Sequence, residues 1–280
     1  MTDPRVTPSN GRVAHVSLEG IVEAMHFVRG RWMAAQKPIV NITDAPGGTR
    51  VNQLLFGEFF LALENHDGFF FGQAQRDGYV GYVAITDLTT ADDDATHWVI
   101  APATHLYPKP NLKEPASIGL FFGSCVYVNG GNDGYHRIKT GHYVPEQHLT
   151  PVAGVFDDPM AVADLFLGTP YLWGGISRWG IDCSGLVQTA FMACGVDCPR
   201  DTDQQNETLG EFLHNDDALQ RGDLIFWDGH VGMMSNDETL LHANAHHMAV
   251  VYEPLAEAEA RIHAHEFGPI IARKRVHLPG

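Results

Sequence analysis

The chain carries the stretch GTPYLWGG at residues 168–175 and, shortly after it, GIDCSGL at residues 180–186. Together they place Cys183 directly after a glycine-rich turn. The apolar residues after Cys183 recur with helical spacing, and Gly195 is positioned to end that helix. A thiol at a helix N-terminus lies among unpaired backbone N–H groups, which favour the nucleophilic thiolate. The stretch therefore predicts a candidate nucleophile at the start of a helix.

Two histidines follow in positions that a hairpin sheet would bring together. His230 opens a predicted strand after an Asp-Gly turn, and His242 lies in the next predicted strand. A nucleophile, a base within its reach and a third polar group that orients the base are the parts of covalent catalysis. The chain has 16 histidines, so a single one carries little weight. The order Cys183, His230, His242, each at the end of an element, selects these two.

A set of short motifs occurs in order across the last part of the chain. They are YLWGG at 171–175, DCSG at 182–185, PRDT at 199–202, RGDL at 221–224, HVG at 230–232 and LHA at 241–243. In this order the chain resembles the NlpC/P60 cysteine peptidases, which cleave peptidoglycan peptides. The resemblance implies a papain-like α+β domain with the cysteine on a helix and both partners on an antiparallel sheet.

Several residues beside the candidate nucleophile have two interpretations. Tyr171 either packs as an aromatic ring or donates its hydroxyl to the substrate. Asp182 and Ser184 either cap the helix, or Ser184 contacts the substrate. Asp201 either forms a surface ion pair with Arg200 or binds a substrate ammonium group, which is the role the resemblance implies at this position.

The first half of the chain differs in character, because short strand patterns alternate with turns. The Asp67-Gly68 and Asp133-Gly134 turns align, as do Tyr82-Val83 and Tyr143-Val144. Two all-β repeats of this kind indicate two small barrels. They resemble bacterial SH3-like (SH3b) domains, which often precede NlpC/P60 domains.

The predicted fold class is therefore two all-β SH3-like barrels followed by a papain-like α+β domain. We expect a partly helical segment at residues 1–37, the first barrel at 38–91, the second at 95–150 and the peptidase domain at 152–280. Residues 12–37 look partly helical because Ile21, Ala24, Met25 and Val28 have helical spacing.

Composition limits the partners. Lys and Arg total 18 against 34 Asp and Glu, a net charge of −16, which argues against nucleic acid or an anionic membrane surface as a partner. No apolar stretch approaches ~20 residues, so we expect no membrane span. The first residues lack a basic region followed by an apolar run, so we expect no secretory signal and a cytoplasmic location. The 4 cysteines include a C-x3-C pair without a matching second pair, so we expect no metal and no cofactor.

The resemblance implies hydrolysis of a γ-D-glutamyl bond to a diamino acid, with Cys183 as nucleophile, His230 as base and His242 orienting it. Relatives with tandem SH3b barrels and no export signal look like recycling enzymes, which cut free L-Ala-γ-D-Glu-diamino acid peptides. Which diamino acid is preferred stays open.

In that group a carboxylate and a tyrosine of the barrel bind the free amine of L-Ala. Glu58 and Tyr79, or Tyr82 in place of Tyr79, are the candidates here, and the alternative for Glu58 is an exposed turn residue. Two other functions stay open: an exported hydrolase of polymeric peptidoglycan, and a non-catalytic protein that binds a ligand through its SH3b barrels.

Overall fold

The computed structural model describes residues 3–214 and 216–279. The chain folds into two compact units, one ending at Gly154 and the other beginning at Val155. The finer domain bounds given above stay predictions.

The first unit begins with a β-sheet region. Its strands are β1 Val13–His15, β2 His26–Val28, β3 Arg31–Ala35, β4 Ile39–Thr43, β5 Arg50–Leu55, β6 Phe59–His66, β7 Phe69–Ala74, β8 Val80–Ala84 and β9 Leu88–Thr90. Strands β3 to β9 form a sheet in the order β5-β4-β8-β7-β6-β3-β9. Alternate side chains of this sheet, among them Val40, Phe60 and Val83, form its apolar core.

A second β region follows in the same unit. Its strands are β10 His97–Val99, β11 Ala103–Leu106, β12 Ile118–Phe121, β13 Cys125–Val126, β14 Val128–Asn132, β15 Tyr135–Ile138, β16 Tyr143–Pro145 and β17 Leu149–Pro151. They form small sheets around a separate core that includes Val99, Leu120 and Val144. The Asp67-Gly68 and Asp133-Gly134 turns join β6 to β7 and β14 to β15 as two-residue hairpins. Both aspartates have positive φ, as such turns require.

The prediction of a partly helical N-terminal segment is wrong over residues 21–28. The backbone N–H groups of Met25 and His26 donate to the carbonyls of Gly11 and Arg12, so this part of the chain pairs as β1 and β2. A short 3₁₀ helix, Val16–Leu18, is the helical element there. Strand β3 also extends the first sheet to residues before the predicted bound at 38.

The second unit packs helices against a mainly antiparallel sheet. Its elements are α1 Pro159–Asp164, β18 Ile176–Ser177, β19 Gly180–Ile181, α2 Cys183–Ala193, α3 Thr202–Thr208, β20 Glu211–Phe212, β21 Leu224–Trp227, β22 His230–Met234, β23 Thr239–Asn244, β24 Ala249–Pro254, α4 Leu255–His265 and β25 Ala272–Arg275. The sheet order is β20-β25-β21-β22-β23-β24, and α2 lies against β22 and β23. In the residues that the structure describes, no helix combines the length and the apolar character that crossing a membrane requires.

Helix α2 begins as the sequence predicts. The Asp182 carboxylate caps it by accepting from the Gly185 N–H at 2.8 Å. Glycine is required at 185, because a Cβ there would lie 2.4 Å from the Gly175 carbonyl oxygen. At the far end Gly195 has φ +77°, the left-handed conformation of a helix stop. These contacts fix Cys183 as the first residue of α2.

Candidate active site

Cys183 is buried where the start of α2 meets strand β22. Its side chain is 6% exposed, and its sulfur lies 3.9 Å from the Thr202 hydroxyl. Backbone hydrogen bonds to the sulfur from Val231 and Ser184 favour the thiolate. Because Val231 directly follows His230, the sulfur lies beside the strand that carries the predicted base.

Burial has the larger effect on this thiol. Burial and the nearby Asp182 charge raise the pKa of Cys183 to about 11, against the hydrogen bonds from Val231, Thr202 and Ser184. The expectation that the helix start alone favours thiolate is therefore incomplete, since desolvation outweighs it in this site. At neutral pH the resting group is a thiol that needs a base to remove its proton.

The two predicted histidines lie side by side at the centre of the sheet. His230 Nε2 is 2.9 Å from His242 Nδ1, and both side chains are buried. Phe267 stacks on the His230 ring at a centroid distance of 5.5 Å and an interplanar angle of 8°, and Trp227 lies at 5.6 Å. The imidazole of His230 is thus held between aromatic rings and a second imidazole.

Both imidazoles favour the neutral form. Burial, then the charges of His242 and Arg261, hold the pKa of His230 well below 6.5. Burial also lowers the pKa of His242, while its hydrogen bond to Glu253 opposes that shift. A neutral imidazole has one nitrogen lone pair, so His230 can accept a proton from a neighbouring thiol.

A carboxylate that the sequence analysis missed continues the hydrogen-bonded row of His230 and His242. Glu253 Oε2 lies 2.9 Å from His242 Nε2, and Arg261 of α4 donates to the same oxygen at 2.7 Å. The signal that could have revealed it is hairpin register. His242 pairs with Val251 on β24, so Glu253 is its diagonal neighbour on the same face.

The residues around the helix start form a buried network. Asp182 accepts from Arg200 Nη2 at 2.6 Å and from the Gly174 N–H at 2.7 Å. Arg200 Nη1 also donates to the Ser184 hydroxyl at 2.9 Å. Arg200 is buried instead of lying on the surface, and its pairing with Asp182 fixes the turn before the nucleophile.

Tyr171 and Asp201 both belong to this unit. Burial and the nearby charges of Cys183 and Asp182 raise the pKa of Tyr171, so its phenol is neutral and close to the thiol. Asp201 is half-buried at the N-cap position of α3. The substrate-binding roles of Tyr171, Ser184 and Asp201 stay predictions.

Glu58 and Tyr79 lie in the first unit, and both are buried. The Glu58 carboxylate accepts from the Leu55 N–H at 2.7 Å and from Arg76 at 2.9 Å. It is not an exposed turn residue, and both of its oxygens serve contacts inside the first sheet. The roles of Glu58 and Tyr79 in binding a substrate amine stay predictions.

Comparison with known proteins agrees with the geometry. The NlpC/P60 family profile matches residues 168–267, and the bacterial dipeptidyl-peptidase SH3 domain profile matches residues 42–88. A γ-D-glutamyl-L-lysine dipeptidyl-peptidase of Bacillus subtilis (strain 168) is 34% identical over 156 residues, 51% of this chain and 51% of that protein. This chain therefore spans about half the length of that curated relative.

Two further proteins show the family and the fold. A crystal structure of an NlpC/P60 family protein from Bacillus cereus ATCC 10987 superposes with a TM-score of 0.75 at 19% identity, covering 89% of this chain and 100% of that one. This likeness shows a shared fold. A probable endopeptidase NlpC of Escherichia coli (strain K12) is 33% identical over 118 residues, 39% of this chain and 73% of that protein. The chain therefore belongs to the NlpC/P60 family and carries an SH3-like domain ahead of its NlpC/P60 domain.

Proposed function

We propose that the protein is a cysteine endopeptidase that hydrolyses the γ-D-glutamyl–diamino acid bond of peptidoglycan-derived peptides with a free N-terminal L-Ala. The observation that carries the proposal is the 2.9 Å contact of His242 with His230, which lies on the strand whose backbone hydrogen-bonds Cys183. The activity of the Bacillus subtilis relative, a γ-D-glutamyl-L-lysine dipeptidyl-peptidase, suggests the bond type.

The site supports a two-step acyl transfer. The Cys183 sulfur attacks the γ-carbonyl carbon of D-Glu while His230 takes the thiol proton. Backbone N–H groups at the start of α2 are placed to stabilise the oxyanion. His230 then returns the proton to the leaving amine, and a thioester to L-Ala-γ-D-Glu remains. Water attacks the thioester, His230 takes its proton, and the proton returns to the thiolate as the acid product leaves.

Recognition of the free amine requires a negative charge, because an unpaired ammonium in a desolvated cleft costs several kcal/mol. Asp201 in the second unit is our first candidate and Glu58, whose carboxylate also accepts from Arg76, is the second. Tyr171 and Ser184 lie at the nucleophile end of the same unit and would contact the acyl portion of the substrate.

We also propose that residues 97–151 form a second SH3-like barrel, and that the enzyme recycles free murein peptides in the cytoplasm. The aligned Asp-Gly hairpins of the two β regions support the repeat. The strongly acidic charge balance disfavours an anionic polymer or membrane as the binding surface.

The test compares four substrates: L-Ala-γ-D-Glu-L-Lys, its meso-diaminopimelate analogue, and the form of each in which the L-Ala amine is acetylated. Mass spectrometry should show release of L-Ala-γ-D-Glu from the free peptides and almost none from the acetylated ones. Equal rates on both forms, or digestion of intact sacculi, would overturn the recycling role and favour a wall hydrolase.

A further inference from the structure

Glu253 is the last member of the hydrogen-bonded row that starts at His230. It is 8% exposed, and its Oε2 is 2.9 Å from His242 Nε2. Arg261 donates from Nε to Oε1 at 3.0 Å and from Nη2 to Oε2 at 2.7 Å. Burial alone would raise the pKa of Glu253, but the hydrogen bonds from His242 and Arg261 hold it at about 2. The group is therefore an ionised carboxylate that only accepts hydrogen bonds.

A second side chain competes for the same imidazole nitrogen. Asn244 Nδ2 also lies 2.9 Å from His242 Nε2. The amide orientation is set by its oxygen, which accepts from the His247 backbone N–H at 2.8 Å. Since a neutral imidazole carries one hydrogen, His242 Nε2 either donates to Glu253 or accepts from Asn244.

These two states have opposite consequences for His230. If His242 carries its hydrogen on Nε2, its Nδ1 accepts from His230 Nε2, and the lone pair of His230 is on Nδ1. If Asn244 donates instead, His242 carries its hydrogen on Nδ1 and donates to His230 Nε2. His230 would then hold its hydrogen on Nδ1 and have no lone pair there for a thiol proton.

We propose that Glu253 is a positioning residue that acts through His242 to keep the hydrogen of His230 on Nε2, which leaves Nδ1 as the base for Cys183. The hydrogen bond from His242 Nε2 to the Glu253 carboxylate is stronger than the hydrogen bond from the neutral Asn244 amide to the same nitrogen, because charge-assisted hydrogen bonds are the stronger class. The role in proton transfer rests on the proposed function. The tautomer assignment does not.

The ion pair of Glu253 with Arg261 also explains how this carboxylate stays charged near the buried imidazoles of His230 and His242. The charged and titratable side chains around Glu253 and His242 come from the neighbouring strands, the turn after β23 and helix α4: His230, His247, Arg261 and Glu266. Arg261 contacts Glu266 as well as Glu253. Replacing Glu253 therefore leaves Arg261 with a partner, and we expect such a variant to fold.

The direct test is the tautomer. In Glu253→Ala no carboxylate accepts from His242 Nε2, so the Asn244 amide donates to that nitrogen and favours the reverse tautomer. Nitrogen NMR of the full chain labelled with ¹⁵N-histidine should show His230 with its hydrogen on Nε2 in the wild type and on Nδ1 in the variant. His230→Asn identifies the resonance. Hydrogen on Nδ1 in the wild type, or an unchanged tautomer in the variant, overturns the proposal.

Reactivity gives a second readout that needs no peptide. Alkylation of Cys183 by iodoacetamide, followed by mass spectrometry, should slow roughly 10²–10⁴-fold in Glu253→Ala, the upper end being the cost of a wrong tautomer in serine proteases. Asp223→Asn is the matched control, because it also removes a buried carboxylate that pairs with an arginine, Arg275, on the same sheet. Its alkylation rate per folded molecule should equal that of the wild type. Equal slowing in both variants would contradict the proposal.

The Arg261→Gln variant tests whether Glu253 acts through its negative charge or only as a packed side chain. Without Arg261, burial raises the pKa of Glu253 but the hydrogen bond from His242 still lowers it, so we expect the carboxylate to stay ionised near neutral pH. The alkylation rate near pH 7.5 should therefore stay within about threefold of wild type, while the acid limb moves to higher pH. If the acid limb of the pH dependence of Cys183 alkylation does not move in this variant, the proposal is overturned. If the tautomer and alkylation results hold but no γ-D-glutamyl peptide is cleaved, the proposed function fails alone.

Discussion

His230 Nε2 and His242 Nδ1 lie 2.9 Å apart inside the sheet, and both rings are buried. Two cationic imidazoles at this distance would repel one another, so at most one is protonated. Burial lowers the pKa of both, and the neutral state of the pair is therefore the working state. A neutral thiol beside a neutral imidazole can react only as the proton moves between them.

The pH profile should reflect this resting state. Burial holds the pKa of His230 well below 6.5, so its neutral form persists into mild acid and kcat/KM should fall only at pH values below 6.5. The pair titrates as a unit, so the limb belongs to neither residue alone. The measurement is kcat/KM on the free peptide from about pH 4.5 to about pH 9. An acid limb centred above the ordinary histidine pKa of 6.5 would contradict the neutral pair.

Replacing His242 should show whether this residue orients His230 through a hydrogen bond or only fills space beside it. Asn or Gln can still accept a hydrogen bond from His230 Nε2, whereas Ala cannot. We expect His242→Asn or His242→Gln to lose roughly 10–100-fold in kcat, and His242→Ala to lose more. The check is kcat at saturating peptide for all three variants. Equal losses would show that His242 does not act through a hydrogen bond.

The buried pair of Asp182 and Arg200 should matter for stability. Asp182→Ala removes the cap of α2 and a carboxylate that pairs with Arg200, whose side chain is 1% exposed. We expect the free energy of unfolding of the second unit to fall by about 3–5 kcal/mol in urea titrations. Arg221→Gln, which breaks a pair exposed at 45% and 36%, should cost at most about 1 kcal/mol. Comparable losses in the two variants would refute the assignment of Asp182 as a structural anchor.

Asp201 should carry the preference for a free amine. Asp201→Asn is expected to lower kcat/KM on L-Ala-γ-D-Glu-diamino acid peptides. The loss should correspond to about 2–4 kcal/mol of transition-state stabilisation, because one member of a desolvated charge pair is lost. The same variant should act on the acetylated peptide no worse than the wild type, since that substrate has no ammonium group. Steady-state kinetics on both peptides give the answer, and a parallel loss on the two substrates would argue against the ion pair.

Much of the peptidase site was predictable from local sequence. Helix α2, its cap and the strands of His230 and His242 follow from short-range patterns, and the structure places these residues together. Glu253 was missed because its contact depends on the register of the β23–β24 hairpin, which no local pattern reveals. The contact between Arg200 and Asp182 was missed because the two residues lie 18 positions apart in the sequence.

The remaining errors come from burial and pairing. The raised pKa of Cys183 arises from the packing of α2 on β22, whereas the sequence displays only the helix start. Residues 21–28 have helical spacing, yet β2 is held as a strand by hydrogen bonds to β1. The alternative interpretation of Glu58 as an exposed turn residue fails, because Glu58 is buried and contacts Arg76 and the backbone of Leu55.

The central claim is that Cys183 cleaves the γ-D-glutamyl bond with His230 as its base. The most direct measurement follows L-Ala-γ-D-Glu-meso-diaminopimelate by mass spectrometry with the wild type, Cys183→Ala and Cys183→Ser. We predict release of L-Ala-γ-D-Glu by the wild type and no detectable turnover by either variant, because the serine hydroxyl has far too high a pKa for this base to activate it. Retention of more than a few per cent of the wild-type rate by folded Cys183→Ala would contradict the account.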